Sequence, residues 1–191
     1  MSIDATGAGT IADPFSSAMG LRNLYYARFG FAAVWAVFIA LAAPALPSAG
    51  VVALLVIYPL FDVAAAVIDY RVSGTDGPRR ALYVNMVLSL AAAAGLGTVF
   101  ASGISNVLRV WGVWAITAGI VQLLVAILRY RLGGQWAMIL SGGISVLAGG
   151  SFILQASGPN ASLGQVVGYA TVGGIFFLIS AIRLHRVVKA Q

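Results

Sequence analysis

The sequence predicts an all-α integral membrane protein with six transmembrane helices, built as three parallel helical-hairpin repeats with pseudo-threefold symmetry about the membrane normal. Three observations predict this fold class. Of the 191 residues, 61% are hydrophobic and 8% are charged, whereas a soluble domain carries about 25% charged residues. The mean hydropathy is +0.98. In addition, three of the apolar segments end in the same residue pattern, whose last residue is an arginine.

Six apolar segments of about 20 residues follow one another along the chain. This length crosses a hydrocarbon core of about 30 Å, and a helix satisfies every backbone polar group internally in lipid. The segments therefore predict six spanning helices. They cover residues 24–46, 50–69, 81–102, 107–128, 135–156 and 164–184.

The segments also predict the domain organisation. Residues 1–22 are small and polar and are predicted to form a mobile cytoplasmic arm. Residues 23–186 are predicted to form the transmembrane domain, and residues 187–191 a cytoplasmic tail. The predicted hairpins cover about 24–71, 81–131 and 135–186.

The repeats are visible at the ends of the even-numbered segments. Residues 59–71, 119–131 and 174–186 each begin with Pro or Gly, carry Ala seven positions later and end in Arg. Residues 113–131 and 168–186 share seven identities in 19 positions. Because each unit contains two helices, the three units keep the same orientation in the membrane.

The distribution of basic residues predicts the orientation. Ten of the 11 Lys and Arg residues lie at one end of the predicted bundle, and Arg109 lies at the other. The positive-inside rule then places both termini in the cytoplasm. We expect a multi-pass protein of a bacterial plasma (inner) membrane, with the lipid bilayer as its main partner. Nucleic acid is not an expected partner, because topology explains the basic residues.

A polar cluster is predicted inside the bundle. Asp62 lies seven residues before Asp69, about 10 Å along a helix, and ionisable residues at such a depth are functional candidates by default. Arg28, Asn85 and Gln122 occupy comparable depths. Two interpretations stay open. Asp62 pairs with Arg28 and fixes the packing, or it forms a pH-sensitive site.

Small residues predict where helices pack closely, because they let helix backbones approach each other. One set lies at repeat-equivalent positions of the even-numbered helices, and another lies on one face of the fifth helix. The predicted packing residues are Ala66, Gly119, Ala126, Ser141, Ser145, Gly149, Gly174 and Ala181. The tryptophans Trp111, Trp114 and Trp136 are typical of the aromatic belts at membrane interfaces.

Two runs of sequence carry a family resemblance. The runs RVWGVWAITAGIVQ (109–122) and WAMILSGGISVLAG (136–149) combine Trp-rich helix starts with Gly and Ser. They resemble the HdeD-like acid-resistance membrane proteins, bacterial inner-membrane proteins with six helices and short hairpin repeats. The resemblance covers residues 81–186 and is fainter over the first hairpin, where Pro59 and Asp62 depart from the family pattern. It implies a role in survival of acid stress and attaches no catalytic residues.

The sequence therefore favours a non-enzymatic membrane protein that acts through packing, self-association as a homo-oligomer, or binding of a membrane-protein partner. The alternative is a small channel or proton-linked transporter that uses Asp62. With no Cys and one His, we expect no metal site, no cofactor and no catalytic nucleophile.

Overall fold

The computed structural model describes residues 14–73, 77–159 and 161–189. This part of the chain contains six helices that are long and apolar enough to cross a membrane, as the sequence predicts. They are α1 (Pro14–Ala42), α2 (Ser48–Val72), α3 (Arg79–Val99), α4 (Ile104–Leu128), α5 (Trp136–Gln155) and α6 (Gly164–Lys189). Short 3-10 turns follow α1, α3 and α4 at Ala43–Ala45, Phe100–Ser102 and Tyr130–Leu132.

Helix α1 begins before the predicted first segment. Residues 14–22, which the sequence predicts to be part of the arm, form its first turns. Ala18 and Leu21 pack inside the bundle, 6% and 3% exposed, and the Ser17 hydroxyl donates a hydrogen bond to the Val72 carbonyl. These contacts explain why a stretch of weak hydropathy is helical. Residues 1–13 of the predicted arm lie outside the described residues.

The six helices close into a ring. Each helix packs against its neighbours in sequence, and α6 also packs against α1. The most extensive packing joins α4 to α5, α1 to α6, and α2 to α3, while the helices within each predicted hairpin pack less extensively. The ring has one end that holds residue 14 and the C-terminal end of α6, called here the terminal end, and an opposite end called the far end.

Apolar side chains cover the outside of the ring. Large hydrophobic residues are exposed on several helices, among them Leu41 (76%), Leu147 (75%) and Leu154 (82%). Such side chains are stable when lipid covers them, since the hydrophobic effect disfavours their contact with water. The surface therefore fits a lipid bilayer environment.

Glycines bring α4 and α5 into backbone contact. A Cβ atom at Gly119 would lie 2.8 Å from the Gly142 carbonyl oxygen, and one at Gly149 would lie 2.5 Å from that of Gly112. The contacts are reciprocal, and the two glycines on each helix are seven residues apart. Only glycine leaves room for this approach.

The other predicted packing residues lie at the same inner surfaces. At Gly174, a Cβ atom would lie 3.2 Å from the Ala32 side chain, where α6 meets α1. The repeat-equivalent alanines Ala66, Ala126 and Ala181 are at most 1% exposed. Ser141 and Ser145 are buried on α5, and Gly119 also approaches the Ser145 side chain.

Alanine substitutions at two neighbouring glycines of α5 test this packing. Gly149→Ala places a methyl group against the α4 backbone, and overpacking of this kind destabilises a fold by about 1–3 kcal/mol. The matched control is Gly150→Ala, whose Cβ meets no atom within 4 Å and should be neutral or slightly stabilising. Denaturant titration in detergent, followed by circular dichroism, measures both. Equal stability of the two variants would contradict the α4–α5 contact.

Candidate functional site

The side chain of Asp62 accepts hydrogen bonds from two neighbouring helices. Asp62 lies on the inner face of α2 and is 9% exposed. The Arg28 Nη1 group of α1 donates to Oδ1 at 2.6 Å. On α3, Asn85 Nδ2 and Ser89 Oγ donate to Oδ2 at 2.6 and 2.8 Å. Three donors, one of them cationic, therefore satisfy both carboxyl oxygens of Asp62 in its apolar surroundings.

A fourth helix joins this network through Ser89. Trp114 Nε1 of α4 donates to Ser89 Oγ at 3.0 Å, so the hydroxyl accepts from the indole and donates to Asp62. Asn85 and Ser89 are four residues apart on α3, a spacing that puts both on one helix face. The network therefore links α1, α2, α3 and α4 around one carboxylate.

Arg28 is held from the other side by α6. Its guanidinium carbon lies 5.1 Å from the centre of the Phe177 ring, a distance at which a cation is attracted to the face of an aromatic ring. The Arg28 side chain is 14% exposed. The cation is therefore placed between a carboxylate on α2 and an aromatic ring on α6.

Three of the four residues in the predicted polar cluster are directly bonded. Gln122 is the exception, because its Nε2 group donates to the Met138 carbonyl of α5 at 3.1 Å rather than to Asp62. Gln122 still lines the same cavity as Arg28, Asp62 and Asn85.

A second buried ion pair lies nearer the terminal end. Arg129 donates to Asp69 through two parallel bonds, Nη1 to Oδ2 at 3.0 Å and Nη2 to Oδ1 at 2.5 Å. The two side chains are 6% and 7% exposed. Ser73 also accepts a bond from Arg129 and donates to Asp69 Oδ1 at 3.0 Å. Burial disfavours the charged form of Arg129, but the hydrogen bonds and negative charge of Asp69 outweigh it and raise the pKa of Arg129.

Two further polar side chains lie at this end of the ring. The Tyr25 hydroxyl donates to Gln135 Oε1 at 3.3 Å, and Gln135 Nε2 donates to the Gly133 carbonyl at 3.1 Å. Gln135 is 1% exposed. Its inward position follows from the turn between α4 and α5, where Gly133 and Gly134 adopt φ values of +78° and +70°, a conformation that glycine adopts without strain.

All six helices line a cavity at the centre of the ring. Its volume is about 90 Å³, which is enough for a few water molecules. Both acidic residues of α2 face it, together with neutral polar groups from the other helices. The polar residues in its wall are Tyr25, Arg28, Tyr58, Asp62, Asp69, Asn85, Gln122, Ser141, Ser145 and Tyr169.

Aromatic rings pack together on the far side of Asp62. The Tyr58 ring lies 4.6 Å from Trp35 and 5.9 Å from Trp114, and the Trp111 ring lies 5.4 Å from Trp114. Tyr58 and Trp114 form part of the cavity wall, so this aromatic cluster (Trp35, Tyr58, Trp111 and Trp114) covers the cavity toward the far end.

The aromatic-belt interpretation is wrong for Trp111 and Trp114. Their side chains are 0% and 5% exposed, because they lie on the inner face of α4 rather than toward lipid. Trp136 differs, since it is 36% exposed and Arg183 lies 4.7 Å over its ring.

Sequence reasoning missed several participants in these networks. Ser89, Trp114 and Phe177 complete the Asp62 network. The polar groups nearer the terminal end, called here the terminal layer, also include Tyr25, Ser73, Arg129 and Gln135. Ser89 follows Asn85 by one helical turn, so the spacing of polar residues on α3 could have identified it. Arg129 was counted only as a topogenic charge, and no local pattern separates it from the exposed Arg131.

The chain matches no protein-family model, no curated protein and no solved structure. The resemblance to HdeD-like proteins therefore rests on the helix motifs of residues 109–122 and 136–149. Within residues 14–73, 77–159 and 161–189, no three carboxylate, imidazole or thiol groups gather in a way that could hold a metal ion.

Removal of one partner tests the terminal ion pair. Arg129→Met leaves Asp69 without its cation, and breaking a buried pair in this way destabilises a protein by about 3–5 kcal/mol. Arg131→Met removes an exposed arginine two residues away and should change stability by less than about 0.5 kcal/mol. Unfolding of both variants in detergent measures the difference. Similar losses in the two would argue against a stabilising pair.

Proposed function

We propose that this multi-pass membrane protein is a proton-linked transporter in which Asp62 binds the proton and the central cavity holds a small solute. One observation carries the proposal: a buried carboxylate with three donors lies on a cavity that all six helices share. Ionisable side chains are rare inside membranes and typically mark ion or substrate pathways.

Protonation of Asp62 changes what holds the helices together. The Arg28–Asp62 pair connects α1 and α2, which pack less extensively than α2 and α3. A neutral Asp62 attracts Arg28 much less strongly, because the charge–charge interaction is lost. The α1–α2 contact then loosens, and this contact is the element that proton binding regulates.

Other ionisable groups set the field around Asp62. Within the described chain they are Arg28 and Tyr25 of α1, Tyr58 and Asp69 of α2, and Tyr169 of α6. The side chains from α3, α4 and α5 that line the cavity are uncharged. Arg28 is therefore the partner whose release depends most directly on the protonation of Asp62.

The cavity lies between two different layers along the axis of the ring, as alternating access requires. The aromatic cluster covers it toward the far end, and the Asp69–Arg129 pair with Tyr25 and Gln135 lies toward the terminal end. A transporter exposes its site to one side at a time by opening one such layer. Movement along the α1–α2 contact would open the terminal layer, since both helices contribute to it.

The second candidate function is a non-enzymatic stress protein that acts by self-association or partner binding. Gly143 and Gly150 of α5 favour it, because each faces open space on the side of the helix that carries exposed Leu147. The glycines at the α4–α5 contact do not support self-association, because they already pack against each other within the ring. The acid-stress role that the HdeD-like resemblance implies is compatible with a proton-binding site.

The repeat arrangement and the orientation belong to the same proposal. The repeat-equivalent Gly119 and Gly174 each face a small residue of the next helix around the ring, Ser145 and Ala32. This likeness between the second and third hairpins supports the repeat, which we propose extends to the first hairpin about a pseudo-threefold axis. The basic residues at the terminal end support cytoplasmic termini in a bacterial plasma membrane.

Proton flux into liposomes tests the function. Asp62→Asn keeps the size of the side chain and removes its titration, so we expect flux driven by an imposed pH gradient to fall about tenfold or more. The signal is a pH-sensitive dye inside the vesicles. Thr117→Val is the control, because this hydroxyl bonds only to carbonyls of its own helix. Equal flux through folded Asp62→Asn would refute the proposal, and absence of wild-type flux both without solute and with a panel of small solutes would favour the second candidate.

Cysteine labelling tests the orientation. The sequence contains no Cys, so each single cysteine is a unique probe. A membrane-impermeant maleimide added to intact cells should label Ser102→Cys at the far end but not Lys189→Cys, which should react only after lysis. The reverse pattern would place the termini outside.

A further inference from the structure

A groove on the outside of the ring lies between α5 and α6. Its volume is about 250 Å³, and these two helices pack less extensively than α5 does with α4. Its wall is largely apolar, formed by Ile144, Ala148, Phe152, Val172 and Phe176 with several small residues. Ile144 and Val172 are more than 40% exposed, so the groove faces the surrounding lipid.

The groove adjoins the central cavity. Four residues line both spaces: Ser141, Ser145, Tyr169 and Gly173. At Gly168 and Gly173, a Cβ atom would meet nothing within 4 Å, so these glycines leave the wall of α6 thin. A molecule dissolved in the membrane can therefore approach the polar cavity from the side.

The cavity offers a molecule one cation. Arg28 carries the positive charge among the residues that line it, and its guanidinium is near the Phe177 ring of α6. Arg129 is occupied by Asp69 and Ser73. Arg28 donates to Asp62 through a single nitrogen at 2.6 Å, so its remaining N–H groups can bind another carboxylate.

We infer that the α5–α6 groove admits membrane-dissolved monocarboxylic acids, whose alkyl chain occupies the groove while the carboxyl group enters the cavity. This inference rests on the proposed function and names its substrate class. A carboxylic acid crosses lipid in its neutral form, since a charged form is poorly soluble there. The groove supplies the apolar wall for the chain, and Arg28 supplies the charge for the head.

Charge balance favours this class of molecule. The acid transfers its O–H proton to a carboxylate oxygen of Asp62, and the resulting carboxylate becomes the partner of Arg28. One ion pair replaces another, so the net charge of the cavity does not change. Tyr25, Tyr58, Asp69 and Tyr169 also face this space, and the exchange needs no change in their charges. A dianion or an ammonium ion would instead add a net charge to the apolar interior.

Quenching of tryptophan fluorescence by 2-bromohexanoic acid, whose bromine lies beside the carboxyl group and so enters the cavity with it, tests the inference. The experiment uses the full chain with Trp136→Phe, which leaves the three tryptophans of the aromatic cluster, of which Trp114 lines the cavity. We expect saturable quenching by the acid. The methyl ester, which has the same chain and no carboxyl group, should bind about tenfold more weakly or worse. Equal quenching by acid and ester would show simple partition into lipid and overturn the inference.

Two leucine substitutions separate the groove from other routes. Gly173→Leu fills the groove and should weaken binding about tenfold or more, whereas Gly143→Leu adds the same side chain to open space on α5 and should leave binding unchanged. Gly168→Leu replaces Gly173→Leu if the latter does not fold. Unchanged binding in both groove variants would overturn the inference.

Competition and flux distinguish this inference from the function on which it rests. Unlabelled octanoic acid should displace the brominated acid at much lower concentration than acetic acid does. Equal competition by acetic acid would show entry of water-soluble acids and overturn the membrane route. If Asp62-dependent proton flux persists while no carboxylic acid binds, the inference fails and the proposed function stands. Loss of both the proton flux and the acid binding would refute the proposed function and this inference together.

Discussion

A carboxylate inside a membrane-spanning bundle needs hydrogen-bond donors around it, and Asp62 imposes this condition on the centre of the ring. Lipid offers no donors, so they must come from neighbouring helices. Helix α1 supplies Arg28, and α3 supplies Asn85 and Ser89 at the same depth. Each bond restricts the rotation and height of a helix relative to α2. The position of one acidic residue therefore constrains how half of the ring can assemble.

The other half of the ring depends on backbone contact. Gly112 and Gly119 of α4 lie against α5 where side chains would not fit, so the backbones of α4 and α5 are in close contact. The α1–α2 and α5–α6 contacts pack less extensively. The Arg28–Asp62 pair spans one of these contacts, and the lipid-facing groove lies in the other. Both features of the proposed transport function thus occur where the helices can separate most easily.

Much of this architecture follows from the sequence, because the length and hydropathy of each segment determine the number of helices. Depth along a helix also identified Asp62, since seven residues separate it from Asp69. The partners across the ring were harder to predict. Trp111 and Trp114 have the composition of an interfacial belt, yet the rotation of α4 turns them inward. That rotation depends on Gly112 and Gly119 meeting α5, a tertiary contact that hydropathy does not record. The helical state of residues 14–22 also depends on tertiary contacts, such as the Ser17–Val72 hydrogen bond, so hydropathy did not predict it.

The two acidic residues of α2 face the same cavity but differ in how firmly they are held. Asp69 receives both Nη groups of Arg129 and the Ser73 hydroxyl, and a bidentate pair gains geometric specificity as well as energy. Asp62 receives one guanidinium nitrogen and two neutral donors. Neutral donors can remain beside a protonated carboxyl group, whereas Arg28 loses most of its attraction to it. Protonation at Asp62 therefore requires the exchange of a single ionic contact. Protonation at Asp69 would disrupt a network that also connects α2 to the end of α4, which is why the proposed function assigns the proton to Asp62.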